Sequence, residues 1–305
     1  MADTASPATA SSNTIRSIAV CIAAFNRRET TLNCLRHLQA SELQAGESLH
    51  VYLLDDASTD GTADAVRSEF PDVHVFSSPG DLWWAGGMRV AFGEALKSRH
   101  DFYIWMNDDV TPRANAVRIL VDTSLELTAR LGGHHLVSGA MIDPESGRYS
   151  YGAFRLKRQW LPKPFSLILP DPTEPLACDL VNANMLLIPG PIAHAIGNIP
   201  DIYVHTLGDW DYGLTARKAG AGLWLAPGSV GTCKANVPNR MRWGGDGLSL
   251  WQRYRKMQHP LAAPFGSRAG FMLRHFPWVA AFFIPGPYLK LPIDHLRWQM
   301  RARRR

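Results

Sequence analysis

Three polar clusters stand at the ends of apolar runs and carry the side chains with the most chemical potential. Asn26-Arg27 follows Ile18–Ala24, Asp55-Asp56 follows Leu49–Leu54, and Asn107-Asp108-Asp109 follows Phe102–Met106. Hard divalent cations such as Mg²⁺ and Mn²⁺ take oxygen ligands and are commonly held by one or two carboxylates together with substrate phosphates. The short acidic turn 107–109 offers that donor type. Asp209 and Asp211 come much later in the chain; a carboxylate distant in sequence but close in space is what a general base acting on a hydroxyl requires. Gly86 and Gly87, after the Gly80–Trp84 loop, allow close backbone approach at a helix start, which suits phosphate or ribose, and Arg89 one turn on is placed to face an anion. A plainer account exists for each residue, because Asp and Asn also serve as turn and cap residues. Three such clusters at successive strand ends favour a site.

The elements that must position these residues follow from the pattern. Ile18–Ala24, Leu49–Leu54, Val73–Phe76 and Phe102–Met106 read as strands; Glu29–Ala40, Thr59–Phe70 and Ala85–Ser98 read as helices, the second opened by a cap among Ser58, Thr59 and Asp60. Strands alternating with helices predict a mainly parallel α/β sheet covered on both faces. In such sheets ligands bind beyond the carboxyl ends of the strands, where the polar clusters fall. A helix is expected to begin at Pro112. Residues 141–175 read as an irregular excursion, Asp179–Ile188 as one further strand, and His205–Ala219 as containing a helix that ends at Gly220.

At 305 residues with 46% hydrophobic and 19% charged side chains, the chain has room for one large domain or two modest ones and excludes a disordered or collagen-like protein. Its four cysteines show neither zinc-ligand nor disulfide spacing, which fits a reduced, cytoplasmic compartment, and no signal peptide is read at the start. The absence of a GxGxxG or P-loop pattern disfavours dehydrogenases and kinases.

The ordered segments AAFNRR (23–28), LLDDASTDGT (53–62), DLWWAGG (81–87), YIWMNDD (103–109) and LGDWDYGLTARKAG (207–220) resemble family 2 glycosyltransferases over about residues 15–230. DLWWAGG and NDD are most similar to the rhamnosyltransferase-like members that build polysaccharides. The resemblance implies a Rossmann-like GT-A domain at 15–233; composition predicts a disordered 1–14 before it, and charge and pattern a basic helical region at 234–305 after it. The resemblance further implies inverting transfer from a UDP- or dTDP-linked sugar to a glycan or lipid-linked acceptor, with Mg²⁺ or Mn²⁺ as cofactor. By position, Ala24, Asn26, Arg27, Gly86, Gly87, Asn107 and Asp108 would line the nucleotide site. Asp55 or Asp56 would bind the pyrimidine base, Asp109 the metal, and Asp209 would be the base with Asp211 as the alternative. The competing readings are a nucleotidyltransferase, whose Gly-rich first loop AAFNRR lacks, and a glycan-binding protein without catalysis.

Charge divides the chain: residues 1–233 hold 18 Lys+Arg against 25 Asp+Glu, whereas 234–305 hold 14 against 2. Leu248–Gln258 reads as a basic amphipathic helix. The uncharged run Phe276–Leu289 is too short to span a bilayer. With Arg274, Lys290, Arg297 and the terminal arginines around it, this run predicts a peripheral anchor through 268–305 at the inner face of the cell membrane, with Trp278 and Tyr288 at headgroup level. Nucleic acid is not expected as a partner, because the aromatics are not interleaved with the basic residues.

Overall fold

The computed structural model describes residues 16–235 and 248–302; the expected N-terminal tail 1–14 and the last three arginines lie outside the described residues. In chain order the first half contains β1 (Arg16–Ala24), α1 (Arg28–Gln39), β2 (Glu47–Asp55), α2 (Thr62–Glu69), β3 (His74–Ser77), α3 (Trp83–Lys97), β4 (Phe102–Asn107), β5 (Thr111–Pro112), α4 (Ala116–Leu131) and β6 (His135–Ser138). Then follow β7 (Met141–Ile142), β8 (Tyr149–Tyr151), β9 (Ala153–Leu156), β10 (Phe165–Leu167), β11 (Leu176–Ala177), β12 (Leu180–Val181) and β13 (Met185–Pro189). After these come α5 (Gly190–Ile196), α6 (Gly208–Lys218), β14 (Gly222–Leu225) and β15 (Gly231–Thr232). The C-terminal region contributes α7 (Leu250–Met257), α8 (Phe265–His275), α9 (Ala280–Phe283) and α10 (Gly286–Ala302).

The main sheet has the order β11-β14-β6-β13-β4-β1-β2-β3. β1 is central among its parallel members, pairing with β2 on one side and β4 on the other. Ile18 to Ile22 are therefore all fully buried, which is why the segment is an unbroken apolar run and does not alternate. β13 runs antiparallel between β4 and β6, making the sheet mixed. α1, α2 and α4 cover one face through Leu32, Leu35, Val66 and Leu120. α3, α5 and α6 cover the other through Met88, Phe92, Ile192 and Tyr212.

Several expectations are corrected. α2 starts at Thr62, because Asp60 accepts from the Thr62 N–H and hydroxyl while Gly61 takes a left-handed turn (φ 79°). Thr111-Pro112 pairs with Gly231-Thr232, so the helix expected at Pro112 begins at Ala116. The single strand expected at 179–188 is two: β12 joins β9 in a small three-stranded sheet and β13 joins the main one. The excursion at 141–175 holds β7 to β10, strands of two to four residues that are too short to display a period.

The basic C-terminal region is not an appendage. Phe271, Met272, Phe276 and Ala280 lie in the same apolar cluster as α3 and α6. Ser267 Oγ donates to the Ile202 carbonyl, and a Cβ on Gly270 would overlap Ile202. Among the described residues no helix is long and apolar enough to cross a membrane.

Candidate functional site

Strand register brings the clusters together. Ala24 pairs with Asp55 and Ala23 with Asn107, so the carboxyl ends of β2, β1 and β4 lie side by side. The β1–α1 loop is stapled to the β2–α2 loop: Asn26 N–H donates to Ser58, Asn26 Oδ1 accepts from the Thr59 N–H, and Arg28 N–H donates to Asp60. Asn26 takes a left-handed backbone (φ 50°) to do this, a conformation Asn tolerates better than most residues.

The two neighbouring carboxylates at the end of β2 differ. Asp56 is fully engaged: Oδ1 accepts from the Ser78 hydroxyl, and Oδ2 accepts from the Leu82 and Trp83 N–H groups at 3.0 Å. It holds a turn in which Asp81 (φ 62°) and Trp83 (φ 57°) are both left-handed. Asp55 is buried, and only its Oδ2 is used, by the Ser58 N–H; Oδ1 has no partner among the described residues. A buried carboxylate oxygen without a donor is costly and calls for one from a ligand or water.

At the end of β4, the Arg27 guanidinium lies between Asp108 Oδ1 and Asp109 Oδ2, 2.9 Å from each. Enclosure works against its charge, yet the two carboxylates raise its pKa. Burial pushes Asp108 up to about 6 although Arg27 pulls it down; Thr31 supplies a weak second donor at 3.5 Å. Asp109 is a third exposed at its side chain, and the Cys233 thiol approaches its Oδ1 at 3.5 Å. Among the described residues no group of three His, Cys, Asp or Glu side chains is assembled to hold a metal. The partly exposed Asp109 carboxylate is nevertheless the donor type that Mg²⁺ or Mn²⁺ takes alongside phosphates and water. Arg27 is half exposed at its side chain.

Asp209 sits in the first turn of α6. Its Oδ1 accepts from the Trp210 N–H at 2.9 Å and its Oδ2 from the Asn182 amide at 3.4 Å. Burial outweighs these donors and pushes its pKa up to about 6, the range useful to a general base at neutral pH. Asp211 is built differently. It is 1% exposed, and its Oδ1 accepts from Tyr203 (2.8 Å), Arg274 Nε (2.8 Å) and His275 Nε2 (2.6 Å). Burial alone would raise its pKa, but the His275, Arg274 and Tyr203 donors hold it below the ordinary carboxylate value. With its oxygens committed to α8, Asp211 joins the C-terminal region to the helix that carries Asp209.

Gly86 and Gly87 lie buried inside α3, and packing accounts for Gly87. A Cβ on Gly87 would stand 2.9 Å from Ala23 Cβ and 3.0 Å from Leu54 Cδ2, so the glycine lets α3 touch β1 and β2. The Ala85 and Gly86 N–H groups both donate to the Val204 carbonyl. Arg89, expected to face an anion, donates to the Pro200 and Tyr203 carbonyls and fixes the loop before α6.

Trp84 links two of these elements. Its Nε1 donates to Asn107 Oδ1 at 2.7 Å, and its ring stands 3.6 Å from the position of a Cβ on Gly208. The indole thus ties the acidic turn to the start of α6. No periodicity distinguishes it from Trp83, whose ring lies edge-on to His205 and His259.

The family model for glycosyl transferase family 2 matches residues 19–165, the part that carries the ends of β1, β2 and β4 but not Asp209. The match supports a glycosyl-transfer role, and the mixed, mainly parallel sheet is the Rossmann-like GT-A arrangement. Among solved structures, the mannosyltransferase PcManGT from Pyrobaculum calidifontis in complex with GDP-Man and Mn²⁺ aligns with a TM-score of 0.49 at 14% identity, covering 93% of this chain and 82% of that one. S. aureus TarS 1–349 in complex with UDP-GlcNAc aligns with a TM-score of 0.49 at 13% identity, covering 86% and 73%. No curated protein matches the sequence.

Proposed function

We propose that the chain is an inverting, metal-dependent glycosyltransferase that moves a hexosyl- or rhamnosyl-type sugar from a UDP- or dTDP-linked donor to a glycan or lipid-linked acceptor in polysaccharide biosynthesis, working in the cytoplasm at the membrane. The observation that carries this reading is the unpartnered Asp55 Oδ1 beside the Asp108-Asp109 pair, within a domain that also holds Asp209 with its raised pKa.

Asp55 Oδ1 accepts the N3–H of a uracil or thymine ring, a donor that guanine does not present in the same place. Ala24, Asn26 and Arg27 line the same strand end. Arg27 moves from Asp109 towards the diphosphate, and Asp109 would hold Mg²⁺ or Mn²⁺. When bound, the cation neutralises the diphosphate as leaving group. Trp84 keeps Asn107 and the start of α6 in register. Asp209 takes the proton of the acceptor hydroxyl, whose oxygen bonds to the anomeric carbon as the bond to the phosphate oxygen breaks on the opposite face. A single displacement inverts the configuration.

Calorimetric titration with UDP, dTDP and GDP, each with and without Mn²⁺, tests this reading. One pyrimidine diphosphate is expected to bind in a Mn²⁺-dependent manner, and Asp109→Ala should remove the dependence. Asp55→Ala should weaken binding roughly 10- to 100-fold, the loss of a hydrogen bond to a charged group. Failure of all three nucleotides to bind would put the glycan-binding reading first.

A further inference from the structure

We propose that the outer face of α10 is a docking surface for an anionic lipid bilayer. The helix is amphipathic in the wrong sense for water. Its inner face carries the polar and aromatic anchors: Trp298 lies under the Arg253 guanidinium (4.0 Å), His295 Nδ1 accepts from Arg253 Nε (3.2 Å), and Tyr288 packs beside Tyr254 and Phe265. Tyr288 is half-buried, so its ring is shared between this packing and the surface. Leu291 is buried on the same side.

The outer face carries Leu289, Ile293, Leu296 and Met300, each between 53% and 71% exposed. At 3.6 residues per turn, positions i, i+4, i+7 and i+11 fall within about 60° of one another. An apolar stripe on a surface helix normally faces a core, and one turned outward marks an interaction site. Elsewhere in the C-terminal region Leu273, Trp278 and Phe282 are also exposed, with the Trp278 Nε1 donating to the Trp160 carbonyl.

Charge decides what covers the stripe. Lys290 and Arg297 follow it along one border, both largely exposed, with Asp294 between them as a loose partner at 3.9 and 3.7 Å. Residues 234–305 carry an excess of twelve positive charges, and the chain ends in Arg301 and Arg303–Arg305. A second copy of the chain would bring like charges together. A bilayer with anionic headgroups accepts the apolar side chains and the basic border at once, and a helix of this kind lies in the interface plane without crossing it.

Co-sedimentation with phosphatidylcholine vesicles, with and without phosphatidylglycerol, tests the proposal without any sugar nucleotide, so its outcome is independent of the catalytic reading. The chain is expected to pellet with the phosphatidylglycerol vesicles. The L289N/I293N/L296N/M300N variant should remain in the supernatant with an unchanged urea midpoint. K290E/R297E, which leaves the stripe intact, should lower the bound fraction at least about tenfold. No binding by the wild type, equal binding to the uncharged vesicles, or binding unchanged in the stripe variant would overturn it. So would a dimer, seen by light scattering, that the stripe variant dissolves.

Discussion

Asp209→Asn is expected to lower kcat by about 10²- to 10⁴-fold while nucleotide binding stays intact, because removing a general base affects the proton-transfer step and not the donor. The wild-type kcat/KM should rise with pH through about 6 and then level off, following the ionisation of Asp209 in the free protein. The same variant should be more stable than the wild type. Burial raises the folded-state pKa from 3.8 to about 6, so at neutral pH the protein holds the Asp209 carboxylate in surroundings that disfavour its charge relative to the unfolded chain. The sign follows from linkage: the wild type gains stability as pH falls from about 6 towards 3.8. Above pH 6 the Asn variant should therefore lead by an amount on the order of 1–3 kcal/mol, and the lead should vanish near pH 4. Urea titrations at both pH values, beside steady-state rates, check the pair of expectations. Loss of activity with no gain in stability would point to disturbed packing and would weaken the assignment of Asp209 as base.

The ends of β1, β2 and β4 were legible because a strand buried on both faces reads as an apolar run that stops abruptly at polar residues. What those residues do once the loops fold over them was not legible. Asp55 and Asp56 are adjacent and identical in type, and the return of residues 78–83 onto Asp56 alone leaves Asp55 with the buried oxygen that has no partner among the described residues. Gly86 and Gly87 suggested phosphate approach, whereas the contact with Ala23 and Leu54 that accounts for Gly87 needs the third dimension. Trp84 carried no spacing signal, since its partners Asn107 and Gly208 lie on separate elements. The choice between Asp209 and Asp211 depended on Arg274 and His275, in a region that charge arithmetic had set apart from the catalytic domain.

That separation makes the second large expectation. Asp211→Ala should destabilise the protein by about 3–5 kcal/mol, because it leaves the Arg274 guanidinium, the buried His275 ring and the Tyr203 hydroxyl without their shared acceptor. The pH dependence should oppose that of its neighbour. Asp211 has a depressed pKa, so its stabilising share is present above the unfolded value of 3.8 and is lost as pH falls through its lower folded value. Two carboxylates two residues apart thus act on stability with opposite signs, Asp209 as a charge the fold tolerates and Asp211 as a charge the fold requires. Asp211→Asn, which retains the shape and one acceptor, should lose less than Asp211→Ala, and Arg274→Lys less than Arg274→Ala. Because Lys218 at the far end of α6 also donates to the Arg274 carbonyl, loosening α8 should reach the whole of the helix that carries Asp209. Arg274→Ala is accordingly expected to lower kcat while leaving nucleotide affinity unchanged, a split that separates positioning of Asp209 from general unfolding. Equal loss of affinity and turnover would mean that α8 merely supports the domain as a whole.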